Sequence, residues 1–152
     1  MNPDYRDLLA AFNAEGVEYL VVGAHALAAH GHVRATEDLD IWVRPVPDNA
    51  QRVIRALRSF GAPLQDLTED DLTKKDLVFQ IGIAPIRIDV LTDVDGLDFN
   101  EAWAERLQTK FAGLPTAVLS REHLIRNKQA TGRTQDLADL ERLSGDSQSL
   151  PS

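Results

Sequence analysis

The sequence predicts an α+β (α/β) fold: a mixed β-sheet with helices packed on one face, followed by short C-terminal helices. Short β-branched and apolar runs are typical of buried strands. Segments with apolar residues at helical spacing alternate with these runs, and glycine or proline stands at most of the junctions. From 152 residues we expect a single domain over residues 1–143 and a disordered tail over residues 144–152.

The N-terminal elements follow from these patterns in turn. Apolar residues share one helical face over Pro3–Glu15, and Gly16 ends that predicted helix. The run Val17–Val22 predicts a buried strand, because β-branched side chains pack well on a pleated sheet. Gly23 allows a tight turn at the exit of this strand, and the alanine-rich segment Ala24–His30 predicts a short helix.

The middle of the chain predicts three strands and a helix. Asp38–Val43 reads as a strand because apolar and polar residues alternate along it. An apolar helical face follows and reaches Phe60, just before a glycine. Leu77–Ile83 and Ile86–Thr92 are two apolar runs with a short connection, so they predict a hairpin.

The C-terminal part predicts helices around a small hairpin. A helix is expected over Phe99–Leu107, and the hairpin strands over Lys110–Ala112 and Thr116–Leu119. A serine at an N-cap position then favours a helix over Arg121–Ala130. A glycine ends it, and Gln135–Leu143 predicts the last helix.

Composition narrows the classes of function. The formal net charge of −8 disfavours an extended nucleic-acid surface, since the whole molecule repels polyanions. The chain has no cysteine, which excludes disulfides and thiolate zinc sites. No apolar run approaches the roughly 20 residues that a membrane span needs. These features predict a cytoplasmic protein with no membrane partner, and they leave a homo-oligomer or a partner protein open.

Three aspartates stand in predicted strands. Asp38 and Asp40 flank Leu39, so their side chains project from the same sheet face. Two carboxylates on one rigid strand suit a hard divalent cation. Asp89 lies at the centre of an apolar strand, where an acid is costly unless it is paired or binds a metal. A salt bridge with Arg87 is the alternative explanation for Asp89.

The order of these features resembles a known superfamily. Gly23 and Ala24, then Asp38 and Asp40, then Asp89 resemble the nucleotidyltransferase superfamily that includes DNA polymerase beta and minimal bacterial nucleotidyltransferases. The surrounding segments GAHALAAHG, RATEDLDI and PIRIDVLT are similar to small bacterial members related to abortive-infection toxins. The resemblance runs over residues 17–143 and implies a nucleotidyltransferase fold.

The resemblance also implies a reaction. It implies transfer of a nucleoside monophosphate from a nucleoside triphosphate to an acceptor hydroxyl, with release of pyrophosphate. Two magnesium ions, or manganese in their place, would be held by Asp38, Asp40 and Asp89, which would be the catalytic residues. The acceptor is a small molecule, a protein or an RNA end. The alternative is a nucleotide-binding or partner-binding module with little or no transfer activity, in a toxin-antitoxin or phage-defence system.

The nucleotide-binding residues that we predict lie at the turn after the first strand, in the loop before the second strand and in the C-terminal helical region. They are Gly23, Ala24, His25, Arg34, Thr36, Lys128 and Arg133. Backbone N–H groups after Gly23 would hold phosphate. Many active members carry Ser or Gly at the position of Ala24, so here only backbone donors remain. For His25 the alternative is a packed side chain, and for Lys128 and Arg133 it is a surface ion-pair set with Asp136 and Asp139.

Overall fold

The computed structural model describes residues 2–32, 38–83 and 86–149, which form a sheet, its helices and one short 3₁₀ turn. The helices are α1 (Pro3–Ala14), α2 (Gly23–Ala29), α3 (Pro47–Phe60), α4 (Phe99–Ala104), α5 (Arg121–Thr131) and α6 (Thr134–Ser149). The strands are β1 (Tyr19–Val22), β2 (Asp38–Val43), β3 (Val78–Ile83), β4 (Ile86–Leu91), β5 (Leu107–Phe111) and β6 (Leu114–Val118). The predicted α+β (α/β) class is confirmed.

The strands form a mixed six-stranded sheet in the order β3-β4-β2-β1-β6-β5. β2 runs parallel to β4, and β1 runs parallel to β6. The remaining neighbours are antiparallel, including the predicted β3-β4 hairpin. Because β2 and β4 are parallel neighbours, residues at matching positions along the two strands lie side by side on the same face.

The helices form where the sequence supplies apolar faces and caps. The Asn2 side chain accepts a hydrogen bond from the Asp4 backbone N–H at 2.8 Å and so begins α1. Leu8 and Phe12, four residues apart, are fully buried. Gly61 ends α3 with φ +92°, a left-handed conformation that suits glycine. None of the described helices is both long and apolar enough to cross a membrane.

Three elements differ from their predicted limits by three residues or more at one end. The helix expected over residues 99–107 ends at Ala104, and β5 begins at Leu107, three residues before the predicted strand. The segment Leu107–Phe111 alternates between half-buried and exposed side chains, which is the period of a strand. The last helix was expected over residues 135–143, whereas α6 runs from Thr134 to Ser149 and continues past the predicted domain end at 143.

Candidate active site

Three acidic side chains lie together on the sheet because of the register between β2 and β4. Asp40 of β2 is the direct neighbour of Asp89 of β4, and Asp38 is the neighbour of Arg87. Alternate residues of a strand share a face, so all four side chains project from the same side of the sheet. The predicted grouping of Asp38, Asp40 and Asp89 on one face is therefore present in the structure.

Arg87 pairs with two of these acids. Its Nη2 donates to Asp38 Oδ2 at 2.7 Å and to Asp89 Oδ2 at 3.2 Å. Its Nε lies 3.2 Å from Asp89 Oδ1, but the two atoms are not aligned for a hydrogen bond, and both are buried without one. The salt bridge offered as the alternative for Asp89 is thus present, and it coexists with the cluster of acids.

The surroundings of Asp40 disfavour the ionised form of its carboxylate. Burial is the largest cause that raises the pKa of Asp40, and with the neighbouring charges of Asp89 and Asp38 it raises this pKa from 3.8 to about 7. Arg87 lowers the pKa of Asp40, but this effect is the smallest of those that act on it. One guanidinium therefore does not balance three carboxylates, and the site has an excess of negative charge when all three are ionised.

Gly23 is required beside Asp40. β1 pairs with β2 so that Val22 faces Asp40, which sets the turn at Gly23 against the acid. Gly23 has φ +69°, and a Cβ atom added there would lie 2.4 Å from Asp40 Oδ2. Any larger side chain would displace the carboxylate, so glycine is needed here both for the backbone conformation and for space.

The other residues predicted around this turn have different surroundings. Ala24 is partly buried in α2. The His25 ring packs edge-on against Tyr5, with ring centroids 5.5 Å apart, and its Nε2 atom is buried without a hydrogen bond. Burial lowers the pKa of His25. Arg34 and Thr36 lie outside the described residues, so their predicted roles stay predictions.

Lys128 and Arg133 form the ion-pair set that was the alternative to nucleotide binding, but at Lys128 this set is buried and does not lie at the surface. Only 3% of Lys128 is exposed, and its Nζ lies 2.9 Å from Asp139 Oδ2 and 3.4 Å from Asp136 Oδ1. Both carboxylates are also buried. Helices α5 and α6 meet here, and their packing removes these three groups from water. The charge of Lys128 is thereby neutralised inside the helix pair.

Arg133 differs from Lys128 because its side chain remains 75% exposed. Its Nε lies 2.7 Å from Asp136 Oδ2. The hydrogen bond with Asp136 is the main cause that raises the pKa of Arg133, and the charges of Asp40 and Asp95 also raise it. Arg133 thus carries a positive charge within electrostatic reach of the acid cluster.

Two adjoining clefts open beside the acids. The Gly23 cleft, of about 530 Å³, is lined by residues that include Gly23, Asp40, Asp95, Asn127, Thr131 and Arg133. The Trp42 cleft, of about 640 Å³, is lined by residues that include Trp42, Arg44, Lys75, Asp93, Asp95 and Phe99. The two share Asp93 and Asp95. The arrangement offers two binding spaces that meet within a few residues of Asp40.

Sequence reasoning missed Tyr5 and the loop after β4. Tyr5 is 5% exposed; burial raises its pKa, a hydrogen bond with the Arg87 backbone lowers it, and the charges of Asp38 and Asp40 raise it again. The tyrosine therefore stands next to the acid cluster, and the periodicity of the first helix gave no sign of this. Asp95 and Asn127 line the Gly23 cleft, and no local motif marks them.

The three aspartates supply oxygen atoms of the kind that a divalent cation prefers, but they are not arranged as a preformed metal site. Magnesium prefers carboxylate oxygens, which all three aspartates supply, and Asp89 Oδ1 is a buried oxygen without a hydrogen bond. Across residues 2–32, 38–83 and 86–149, however, no group of three or more acidic, histidine or cysteine side chains is arranged to hold a metal. The donors therefore fit the ion, while Arg87 draws two of them to itself.

Comparison with solved structures identifies the fold. A candidate nucleotidyltransferase from Thermotoga maritima, TM1012, matches over 96% of this chain and 96% of its own, with a TM-score of 0.62 and 18% identity. The antibiotic-resistance factor ANT(2'')-Ia, a nucleotidyltransferase, matches over 95% of this chain and 82% of its own, also with a TM-score of 0.62 and 18% identity.

The chain has the nucleotidyltransferase fold. This confirms the fold that the sequence resemblance implied. No family model matches the sequence, and no curated protein matches it significantly. At 18% identity this likeness establishes the architecture alone.

Proposed function

We propose that this protein is a magnesium-dependent nucleotidyltransferase. It transfers a nucleoside monophosphate from a nucleoside triphosphate to an acceptor hydroxyl and releases pyrophosphate. The observation that carries the proposal is the parallel register of β2 and β4, which sets Asp40 beside Asp89 on the face that also carries Asp38. Three carboxylates next to the Gly23 turn, in a sheet of this fold, support nucleotidyl transfer over a purely structural role.

Asp38, Asp40 and Asp89 would hold the magnesium ions, or manganese in their place, and two ions remain our expectation. When bound, divalent ions neutralise phosphate oxygens and lower the pKa of the acceptor hydroxyl. The chain itself supplies a rigid, partly buried concentration of negative charge. The raised pKa of Asp40 measures how unfavourable that charge is without a cation.

We assign the nucleotide to the Gly23 cleft and the acceptor to the Trp42 cleft. The Gly23 cleft contains the exposed Arg133 side chain and the amide of Asn127, which are donors for phosphate oxygens. Backbone N–H groups that follow Gly23 add further donors. Lys128 is fully engaged by Asp136 and Asp139, so its expected role in binding becomes one of fixing the helices that carry Arg133.

The reaction is an in-line displacement at the α-phosphorus. The acceptor oxygen forms a bond to this phosphorus, the bond to the bridging oxygen of the β-phosphate breaks, and pyrophosphate leaves. The acceptor proton goes to a carboxylate. Asp89 Oδ1, which makes no hydrogen bond, is the oxygen that we assign to accept it.

A second function is favoured by one observation. Arg87 already pairs with Asp38 and Asp89, which is the arrangement expected of a site that binds a nucleotide weakly or without metal. Ala24 also offers no hydroxyl to a phosphate. The second candidate is therefore a nucleotide-binding or partner-binding module that carries out little or no transfer, for example in a toxin-antitoxin or phage-defence system.

Thermal unfolding with each of the four nucleoside triphosphates tests the proposal. A ligand that binds only the folded state raises the melting temperature. We expect at least one triphosphate to raise it with magnesium and less without it, and Asp40→Asn to remove the magnesium-dependent part. Asp66→Asn, which changes an exposed acid, is the matched control and should respond as the unmodified protein does.

Pyrophosphate release separates the two candidate functions. A transferase releases pyrophosphate when a suitable acceptor is present, and a binding module shows the thermal shift but no release. If neither a triphosphate nor a divalent ion is bound at millimolar concentrations, the proposed function is wrong.

A further inference from the structure

The guanidinium of Arg87 occupies the oxygens that a metal ion needs. Its Nη2 donates to Asp38 Oδ2 at 2.7 Å and to Asp89 Oδ2 at 3.2 Å. Asp38 and Arg87 are direct neighbours across β2 and β4, so the contact is built into the register of the sheet. The bridge spans two strands and joins two of the three expected metal ligands.

Arg87 also has room to leave these partners. Its side chain is 32% exposed, whereas that of Asp89 is only 10% exposed. The long arginine stem has several rotatable bonds, and the aspartates are short side chains on adjacent strands. Rearrangement of this cluster would therefore move the arginine rather than the acids.

The charges make the two cations mutually exclusive. Three ionised carboxylates carry three negative charges and Arg87 supplies one positive charge, so the cluster attracts a further cation. A divalent ion at the same oxygens would lie close to the guanidinium, and like charges at that separation repel strongly in a partly buried site. Lone pairs of Asp38 and Asp89 that accept from Arg87 are also not available to the ion.

We propose that Arg87 is a resident counter-cation that holds Asp38 and Asp89 in place in the metal-free protein and competes with divalent ions for them. Metal binding then includes displacement of the Arg87 guanidinium. Arg87 is a positioning residue in this account, since it acts through the aspartates. The inference rests on the proposed function, because it concerns the same metal site.

Direct titration with Mn²⁺, followed by the loss of the free-ion electron paramagnetic resonance signal, tests the competition without any activity assay. We expect Arg87→Gln to bind Mn²⁺ at least about tenfold more tightly than the unmodified protein, because the competing charge is gone. Without metal, Arg87→Gln should unfold at a lower urea concentration than the unmodified protein. Addition of Mn²⁺ should then stabilise the variant by more than it stabilises the unmodified protein.

Two further variants sharpen the result. Lysine keeps the charge but lacks the planar fork that contacts two carboxylates, so Arg87→Lys should bind Mn²⁺ with an affinity between those of the other two proteins. It also serves if Arg87→Gln fails to fold. Arg55→Gln removes the Arg55–Glu15 ion pair at 3.1 Å, outside the acid cluster, and should leave Mn²⁺ affinity unchanged.

The outcomes separate this inference from the proposed function. If the unmodified protein binds Mn²⁺ and both Arg87 variants bind it equally or more weakly, the competition does not exist and the proposed function stands. If neither the unmodified protein nor any of the variants binds Mn²⁺ at millimolar concentrations, the metal-dependent function and this inference fail together.

Discussion

Replacement of Asp40 by asparagine should stabilise the free protein above neutral pH. In the folded protein, burial and the charges of Asp89 and Asp38 raise the pKa of Asp40 from 3.8 to about 7. Each unit of pKa corresponds to 1.36 kcal/mol, so ionised Asp40 destabilises the fold by at most about 4 kcal/mol. Because the carboxylate is partly exposed, solvent screening reduces this, and we expect asparagine to recover about 2–4 kcal/mol.

The sign of the effect fixes its pH range. The folded state holds the Asp40 proton more tightly than the unfolded state, so this group makes stability fall as pH rises. The loss begins above the unfolded pKa of 3.8 and is complete above the folded pKa of about 7. The advantage of Asp40→Asn should therefore be absent near pH 4, grow through pH 5–6 and reach its full size at pH 8.

Urea unfolding between about pH 4 and pH 8, in the presence of a metal chelator, measures this difference. Comparison of the two proteins cancels the contributions of titrating groups that do not interact with Asp40. Asp66→Asn, at an exposed position, should track the unmodified protein across the range. If the difference in free energy of unfolding between Asp40→Asn and the unmodified protein is the same at every pH from 4 to 8, the pKa of Asp40 is not raised in the folded protein.

Two further substitutions test the parts around the acids. Gly16→Ala should cost about 1–2 kcal/mol, since Gly16 has φ +69°, and Gly23→Ala should cost more, since it has the same φ and also brings a Cβ against Asp40. Gly23→Ala alone should weaken the magnesium-dependent thermal shift with triphosphate, and equal shifts in the two variants would contradict the role of Gly23. Lys128→Met should reduce the free energy of unfolding by about 3–5 kcal/mol, because the buried carboxylates of Asp136 and Asp139 would lose the cation that they share, although Asp136 keeps its contact with Arg133. An effect below about 1 kcal/mol in urea unfolding would show that water reaches this cluster.

Most of the fold could be predicted because the elements are locally encoded. Alternation along Asp38–Val43 gave the exact limits of β2, and the same alternation put Asp38 and Asp40 on one face. Only the sheet register decides that Asp89 is next to Asp40. The resemblance to a known superfamily implied that the three acids share a metal site, but it did not say which of them are direct neighbours. Periodicity alone gives the face of a side chain and says nothing about its cross-strand neighbour.

The features that escaped prediction depend on tertiary packing. Lys128 was expected at the surface, because a lysine with aspartates at helical spacing is usually solvated; the packing of α5 against α6 buries it instead. Arg87 was identified as a partner of Asp89, but its stronger contact with Asp38 crosses strands and has no sequence signal. Tyr5 approaches the acids from α1, which is distant in sequence from both strands.

Transfer of a nucleotide labelled at the α- or the γ-phosphate tests whether the protein is a nucleotidyltransferase. The protein is incubated with magnesium, a triphosphate that shifts its melting temperature and pools of small molecules, proteins or RNA as acceptors. We predict that label at the α-phosphate enters an acceptor and that label at the γ-phosphate leaves as pyrophosphate. With Asp40→Asn we expect neither transfer of the α-label nor release of labelled pyrophosphate. Transfer of the γ-label, or the absence of Asp40-dependent α-label from every acceptor pool, would contradict the assignment as a nucleotidyltransferase.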